Sequence, residues 1–282
     1  MEAEYMYYPE FERNFEAEAG RFIAGYSTWG ERFNRKYLWV LLLSVVGVIG
    51  CLFCDEAITF MLSIMLVAMG PLVLAIMGMP YCFNKIFTRR CIICTDGLIW
   101  QVLLYNIYML SEKVIKFCDV KGIRKSGIVY SQFGISYLLT VAKLSATDSA
   151  GNEIFCKTGY YVNEHEEAQK NNFYGCAFNG ILERWNEIAA QRLNKEFEAK
   201  GYCSFYADGK EYRVGHGYLS CGNDIVRVGE FSYKFHDGFL SFFPLNDGNM
   251  WILKRPNLVV SLSSMYNGQL FLTVIRQMLN IV

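Results

Sequence analysis

The chain has 282 residues, and its 27 lysine and arginine residues balance its 27 aspartate and glutamate residues. Hydrophobic residues make up 53% of the chain and charged residues 19%, whereas globular domains carry about 25% charged residues. This composition excludes a disordered chain, and the neutral total argues against nucleic acid as the main partner.

The apolar residues are concentrated in one segment near the N-terminus. Residues 1–36 are acidic overall and form a separate leading segment, whereas between residues 37 and 80 the only charged side chains are those of Asp55 and Glu56. The 37–80 segment is long enough for two spans of about 20 apolar residues, joined by a turn at the two acids. It predicts a transmembrane helical hairpin, and the alternative is a helical hairpin buried in a protein core.

Basic residues flank this segment on both sides, whereas its turn carries only acids. The positive-inside rule then places both termini in the cytoplasm and predicts an integral protein of the plasma (inner) membrane. The ten cysteines are scattered along the chain, as expected of free thiols in a reducing compartment. The pair Cys91 and Cys94 has the spacing of a zinc half-site, but no second pair follows, so we expect no metal site.

Residues 81–200 form the first predicted domain after the hairpin. Runs rich in Tyr, Phe, Ile, Val and Thr alternate with turn signals such as Asp96-Gly97, which indicates short antiparallel strands. From about residue 166 onward, apolar residues recur every three or four positions. This spacing predicts an amphipathic helix that ends at Gly201.

Residues 201–282 repeat this order and form the second predicted domain. Short strands alternate with Asp-Gly turns, and an apolar stripe at helical spacing over residues 270–278 closes the chain. Antiparallel strands capped by one amphipathic helix make a pleckstrin-homology-like half-barrel, in which the helix plugs an open end of the bent sheet. The predicted fold class is therefore α+β, with a two-helix transmembrane hairpin followed by two such half-barrels.

Three short motifs accompany the apolar segment: TDGLI at 95–99, FCDV at 117–120 and RPN at 255–257. With the hairpin, they resemble a family of bacterial membrane-anchored proteins of unknown function, which have a two-helix transmembrane hairpin and tandem pleckstrin-homology-like domains. The resemblance implies a membrane-anchored bacterial protein, and it brings no catalytic residues to this chain.

The sequence contains no recognisable motif of enzyme chemistry. The three histidines, His165, His216 and His236, lie among acids or beside glycines, and none has a nucleophile motif around it. No glycine-rich motif for phosphates or dinucleotides opens a helix. We therefore expect no catalytic residues, no cofactor and no enzyme activity.

A basic cluster is the most distinctive polar feature of the first predicted domain. In a pleckstrin-homology-like half-barrel, the early strands and their loops form a rim that can meet anionic lipid head groups, where each basic side chain contributes about 1 kcal/mol. The alternative is a solvated strand face. The cluster consists of Lys113, Lys116, Lys121, Arg124 and Lys125.

Together these features predict a membrane-anchored, non-enzymatic binding or scaffold protein. Its expected partners are the lipid bilayer and a protein, which can be a second copy, and neither nucleic acid nor a small-molecule cofactor is expected. The alternative is a membrane-bound enzyme or regulator with a site in the groove between the two half-barrels. A shallow apolar groove would favour the scaffold, whereas convergent polar groups with a perturbed acid or base would favour the enzyme.

Overall fold

A computed structural model describes residues 16–30, 49, 83–132, 136–161, 172–245 and 256–279. The chain divides into two compact units whose segments alternate along the sequence. The first unit comprises Met1–Arg13, Ile23–Ile92 and Ile99–Val114. The second unit comprises Asn14–Phe22, Ile93–Leu98 and Ile115–Val282.

The described strands form four sheets. The first has the order β1-β2-β3-β4, with β1 at Phe22–Ser27, β2 at Phe87–Cys94, β3 at Gly97–Leu104 and β4 at Tyr108–Lys116. The second has the order β5-β6-β7, at Gly122–Gln132, Ser136–Thr147 and Glu153–Tyr161. The third has the order β11-β10-β9-β8, where β8 is Tyr202–Ala207, β9 Lys210–Gly215, β10 Tyr218–Cys221 and β11 Asp224–Arg227. The fourth has the order β12-β13-β14, at Phe231–His236, Phe239–Pro244 and Leu258–Ser261.

Helices alternate with groups of strands in chain order. Helix α1 (Glu16–Ala19) precedes β1, α2 (Phe173–Lys200) follows β7, and α3 (Gly268–Leu279) follows β14. The side chain of Asn172 caps α2 by accepting a hydrogen bond from the backbone N–H of Tyr174 at 2.9 Å. At the other end, Gly201 adopts a left-handed conformation with φ of 76° and donates its N–H to the carbonyl of Phe197.

Two apolar faces build the core of the second unit. Helix α2 buries a stripe at spacings of three and four, formed by Phe178, Ile181, Leu182, Trp185, Ala189 and Leu193. Helix α3 buries Phe271, Ile275 and Leu279 in the core shared by the strands from β8 to β14. Burying these side chains stabilises the unit by about 1.5–3 kcal/mol for each large residue.

Several predictions of local structure are confirmed. The turn Asp96-Gly97 lies between β2 and β3, the long helix ends at Gly201, and a final helix covers residues 270–278. The long helix begins at Phe173, and the six residues predicted before it, 166–171, lie outside the described residues. Strand β5 was not predicted, because its sequence carries two glycines and two charged side chains within a short stretch.

The predicted fold class is wrong as a whole. In place of a transmembrane hairpin and two pleckstrin-homology-like half-barrels, the described residues form four separate, mostly antiparallel sheets with few helices. No ladder joins one of these sheets to another within the described ranges. The alternation of apolar and polar residues identifies strands, but it does not determine how many sheets they form, because pairing depends on contacts between distant segments.

The predicted transmembrane hairpin is also contradicted. Helix α2 has 28 residues but carries eight charged side chains, and α3 has only 12 residues, whereas a span requires about 20 apolar ones. Over the part of the chain that the structure describes, we find no helix with both the length and the apolar character to cross a membrane. The predicted location as an integral protein of the plasma membrane is therefore contradicted. The segment 37–80 itself lies outside the described residues, apart from Ile49.

Candidate binding cleft

A cleft of about 530 Å³ opens within the second unit, between α2 and β8. Sites for small ligands have volumes of about 300–1,000 Å³. Three distant segments contribute to its walls, beside the helix and the strand. The walls are formed by Lys121, Gly122, Thr147, Gly151, Trp185, Ala189, Arg192, Leu193, Glu196, Ser204–Ala207, Gly209, Tyr266 and Asn267.

Helical spacing explains which side chains α2 turns toward the cleft. Trp185, Ala189 and Leu193 are four residues apart, so they lie on one face of the helix, and all three are buried. Arg192 and Glu196 are also four apart and form the adjacent row. The helix therefore supplies an apolar floor and a charged rim.

Asn267 lines the cleft and connects the 121–123 segment with helix α2. Its side-chain oxygen accepts hydrogen bonds from the indole Nε1 of Trp185 at 2.7 Å and from the backbone N–H of Ile123 at 3.1 Å. Its own backbone N–H donates to the carbonyl of Ile123 at 2.8 Å. The backbone of Asn267 is left-handed, with φ of 57°, a conformation that asparagine adopts more easily than most residues.

Two cations of the cleft lie over aromatic rings. The Nζ of Lys121 is 4.0 Å from the centre of the Tyr206 ring, and the guanidinium of Arg192 is 5.2 Å from the ring of Trp185. Arg192 also donates to the carbonyls of Val120 at 2.7 Å and Phe117 at 2.8 Å. Arg192 is thus fixed by the protein, whereas the exposed Lys121 is held by its ring contact.

Strand β8 is an edge strand of its sheet, but its outer edge is occupied where it borders the cleft. The carbonyl of Tyr206 accepts a hydrogen bond from the N–H of Tyr266 at 2.9 Å. The N–H of Ser204 donates to the carboxylate of Glu196 at 3.4 Å, and the same carboxylate pairs with Lys200 at 3.0 Å. An incoming strand therefore cannot use these backbone groups of β8 without displacing them.

Two acids lie near the cations outside the cleft. Lys121 and Arg192 also border a neighbouring hollow of about 490 Å³, to which Asp119 and Asp148 contribute. Asp148 accepts hydrogen bonds from the backbone and side chain of Asn152, which hold the pKa of its carboxyl below its usual value. Asp148 is thus engaged within its own turn.

Burial raises the pKa of two titratable groups at the cleft, Cys203 and Tyr206. Burial, with the nearby Glu196 as a smaller cause, raises the pKa of the Cys203 thiol to about 11. Burial and the carboxylates of Glu211 and Glu196 also raise the pKa of the Tyr206 phenol. At neutral pH neither group is an anion, so the thiol is not poised as a nucleophile.

The five residues of the predicted basic cluster lie in different surroundings. Lys113 and Lys116 are exposed on β4, and Lys121 lines the cleft. Arg124 lies over the ring of Tyr266, 5.2 Å from its centre. Lys125 donates to the side chain of Asn179 at 2.9 Å, and burial lowers its pKa. A role of these five residues in lipid contact stays a prediction, and the last three are engaged with the protein itself.

Other candidate residues from the sequence lie away from the cleft. His216 is exposed at a turn, His236 is exposed at the end of β12, and His165 lies outside the described residues. Cys91 and Cys94 are buried in β2, and burial raises the pKa of Cys94 to about 11. Among the described side chains, no group of three or more His, Cys, Asp or Glu residues could hold a metal ion.

Sequence reasoning missed the residues that define the cleft. Trp185 was assigned to the apolar face of the helix, and nothing indicated that its indole N–H bonds to Asn267. The only local signal was the dipeptide Asn267-Gly268 before the last helix, which is typical of a turn. Tyr206 was predicted only as the last residue of a strand, and no prediction was made for Tyr266.

Comparison with known proteins adds no relative. No family model matches the chain, and neither the curated proteins nor the solved structures compared with it gave a match. The resemblance to bacterial membrane-anchored proteins is therefore contradicted, since no family matches and the described helices include no membrane span.

Proposed function

We propose that this chain is a binding protein that holds an acidic, aromatic-bearing segment of a protein partner in the cleft. The observation that carries the proposal is the pairing of cations with aromatic faces, Lys121 on Tyr206 and Arg192 on Trp185. An aromatic side chain can enter the cleft beside Tyr206, and an acidic neighbour can meet the ammonium group of the exposed Lys121. Aromatic anchors in pockets dominate the energetics of many protein interfaces.

The hydrogen bonds and the pKa values of the polar groups at the cleft favour a binding protein over an enzyme. Arg192 and Asn267 already bond to backbone and indole groups of the protein, and Glu196 pairs with Lys200. An enzyme needs groups that converge on a substrate and exchange protons near neutral pH. The raised pKa values of Cys203 and Tyr206 move these groups away from that range.

The occupied edge of β8 supports recognition by side chains. A peptide that added a strand to β8 would compete with Tyr266 for the carbonyl of Tyr206 and with Glu196 for the N–H of Ser204. A short segment that inserts one aromatic side chain avoids this cost. The segment also buries most of its contact area in one place, as expected of an anchor residue.

The test is a titration of the full chain with three blocked tripeptides, observed by ligand-detected NMR. The sequences are Glu-Phe-Glu, Lys-Phe-Lys and Glu-Ala-Glu, so that charge and aromatic group are varied separately. We expect Glu-Phe-Glu to bind most tightly. In Lys121→Glu the order of the first two peptides should reverse, because the charge beside the cleft is inverted.

Lys210→Glu is the matched control, since Lys210 is an exposed lysine that does not line the cleft. It should leave all three affinities unchanged. Equal binding of the three peptides to the wild-type chain would refute the proposal. So would a Lys121→Glu chain that keeps the wild-type order.

A further inference from the structure

The hairpin between β3 and β4 carries an exposed apolar tip in the first unit. The tip comprises residues 105–110, and each of them except Asn106 is a large hydrophobic residue that is exposed. The most exposed are Ile107, at 74% of its maximum, and Tyr108, at 67%. Single exposed apolar residues are common, but contiguous patches of this kind mark interaction surfaces.

The turn at the tip holds a bulky residue in an unfavourable conformation. The N–H of Ile107 donates to the carbonyl of Leu104 at 3.0 Å, which closes a two-residue turn. Both central residues are left-handed, with φ of 49° at Tyr105 and 61° at Asn106. Asparagine accepts this conformation readily, but for tyrosine it is sterically unfavourable, and glycine would be the easier choice. The chain thus retains an aromatic side chain at the tip despite its conformational cost.

The rest of the first unit fixes this turn in place. The side-chain oxygen of Asn106 accepts a hydrogen bond from the guanidinium of Arg90 at 2.9 Å. The N–H of Tyr105 donates to the carbonyl of Ile86 at 2.7 Å. These hydrogen bonds hold the backbone of the tip against β2 and the residue before it, while the apolar side chains of the tip remain exposed.

The described part of the first unit is basic. It carries four cationic side chains and one carboxylate, that of Glu112, which accepts a hydrogen bond from Gln101 at 2.8 Å. Lys113 is exposed three residues beyond the tip, on the same strand. The four cations are Lys85, Arg89, Arg90 and Lys113.

We propose that the apolar tip inserts into the interfacial layer of an anionic lipid surface, with Lys113 meeting its head groups. Tyrosine is enriched at this layer, because its ring is apolar and its hydroxyl remains hydrated. Aliphatic side chains supply the partition free energy, and basic side chains add attraction to anionic lipids. The contact is made by a hairpin at the surface and requires no membrane-spanning helix. It is independent of the cleft.

The experiment measures binding of the full chain to vesicles of phosphatidylcholine, with or without phosphatidylglycerol. We expect tighter binding to the anionic vesicles. The double variant Ile107→Ser/Tyr108→Ser should bind them about tenfold more weakly, because both apolar side chains are lost from the tip. Lys113→Gln should weaken binding to the anionic vesicles alone, by about fivefold.

A matched control distinguishes lipid binding by the tip from nonspecific binding through other apolar side chains, including those of the segment 37–80. Ile225→Ser/Val259→Ser removes two exposed apolar side chains from the second unit and should leave the affinity unchanged. Hydrogen exchange on the wild-type chain should show that anionic vesicles protect the amides of residues 105–110.

Three outcomes would overturn the proposal. The first is equal binding of the tip variant and the wild-type chain, and the second is an equal loss in the control variant. The third is a wild-type chain that is dimeric without lipid and becomes monomeric in Ile107→Ser/Tyr108→Ser, with no difference between the two kinds of vesicle. That result would assign the tip to contacts with a second copy.

Discussion

Asn267 ties together three segments that are far apart in sequence. Its side-chain oxygen serves two donors, the indole of Trp185 and the N–H of Ile123, and both residues are buried. A buried donor that loses its acceptor costs about 1–3 kcal/mol, because water cannot replace the lost partner. One amide side chain therefore stabilises the part of the cleft wall where these segments meet.

We predict that Asn267→Ala lowers the free energy of unfolding by about 2–5 kcal/mol. Two buried donors lose their acceptor, and alanine is strained at a φ of 57°. Asn267→Gly removes the side chain without this strain and should lose most of the same free energy. Urea unfolding measures both variants.

Asn194→Ala is the control for this prediction, since Asn194 is exposed on α2. It should change the free energy of unfolding by no more than about 0.5 kcal/mol. If Asn267→Gly proves as stable as the wild-type chain, the two hydrogen bonds of Asn267 do not contribute as described.

Sequence reasoning reached individual residues only where a local rule applies to them. Gly201 could be predicted as the end of α2, because helices commonly end at a left-handed glycine. The role of Asn267 could not, because its partners lie 82 and 144 residues away in the sequence. The exposed tip at Ile107 was missed as well, since a run of apolar residues reads as a buried strand.

At the scale of elements, helix α3 depends on the strands beside it. Only 12 residues long, it is too short to be stable alone in water. Phe271 packs edge-on against Phe205, with ring centres 5.2 Å apart, and against Tyr212 at 6.5 Å. The helix is therefore stabilised mainly by packing its buried side chains against β8 and β9.

We predict that Phe271→Ala destabilises the chain by about 3–5 kcal/mol, since it leaves a cavity between α3 and the third sheet. Thermal unfolding followed by circular dichroism measures the change. Thr273→Ala on the exposed face of the same helix should change stability by less than about 0.5 kcal/mol. Equal effects of the two substitutions would show that α3 does not contribute to the core as described.

Elements whose apolar residues recur at a regular spacing were predicted from the sequence. Elements that mix apolar residues with charged residues and glycines were not. The apolar stripe of α2 recurs at three and four residues, so its existence and its end are confirmed. Strand β5 carries Arg124 and Lys125 beside glycines, and these charges were assigned to a lipid-facing cluster instead. In the structure both side chains contact residues of other elements, Tyr266 and Asn179.

For the whole molecule, the sequence predicted the order of many elements but not their assembly. The described strands form four sheets rather than two half-barrels after a membrane hairpin. The cleft combines Lys121, Trp185 and Tyr266, which no spacing rule connects. The pairing of strands into sheets and the grouping of distant residues in the cleft depend on tertiary packing, which cannot be inferred from the spacing of residues in one sequence.

We propose that the cleft beside Trp185 binds an acidic aromatic segment. The indole N–H of Trp185 bonds to Asn267 at the cleft wall, so its NMR signal reports directly on occupancy. The chain has five tryptophans, and Trp185→Phe identifies the signal by its loss. On addition of the Glu-Phe-Glu tripeptide, we predict a saturable shift of the Trp185 signal, while the signals of Trp29 and Trp100 stay in place. A Trp185 signal that does not move at peptide concentrations that saturate binding would contradict the claim.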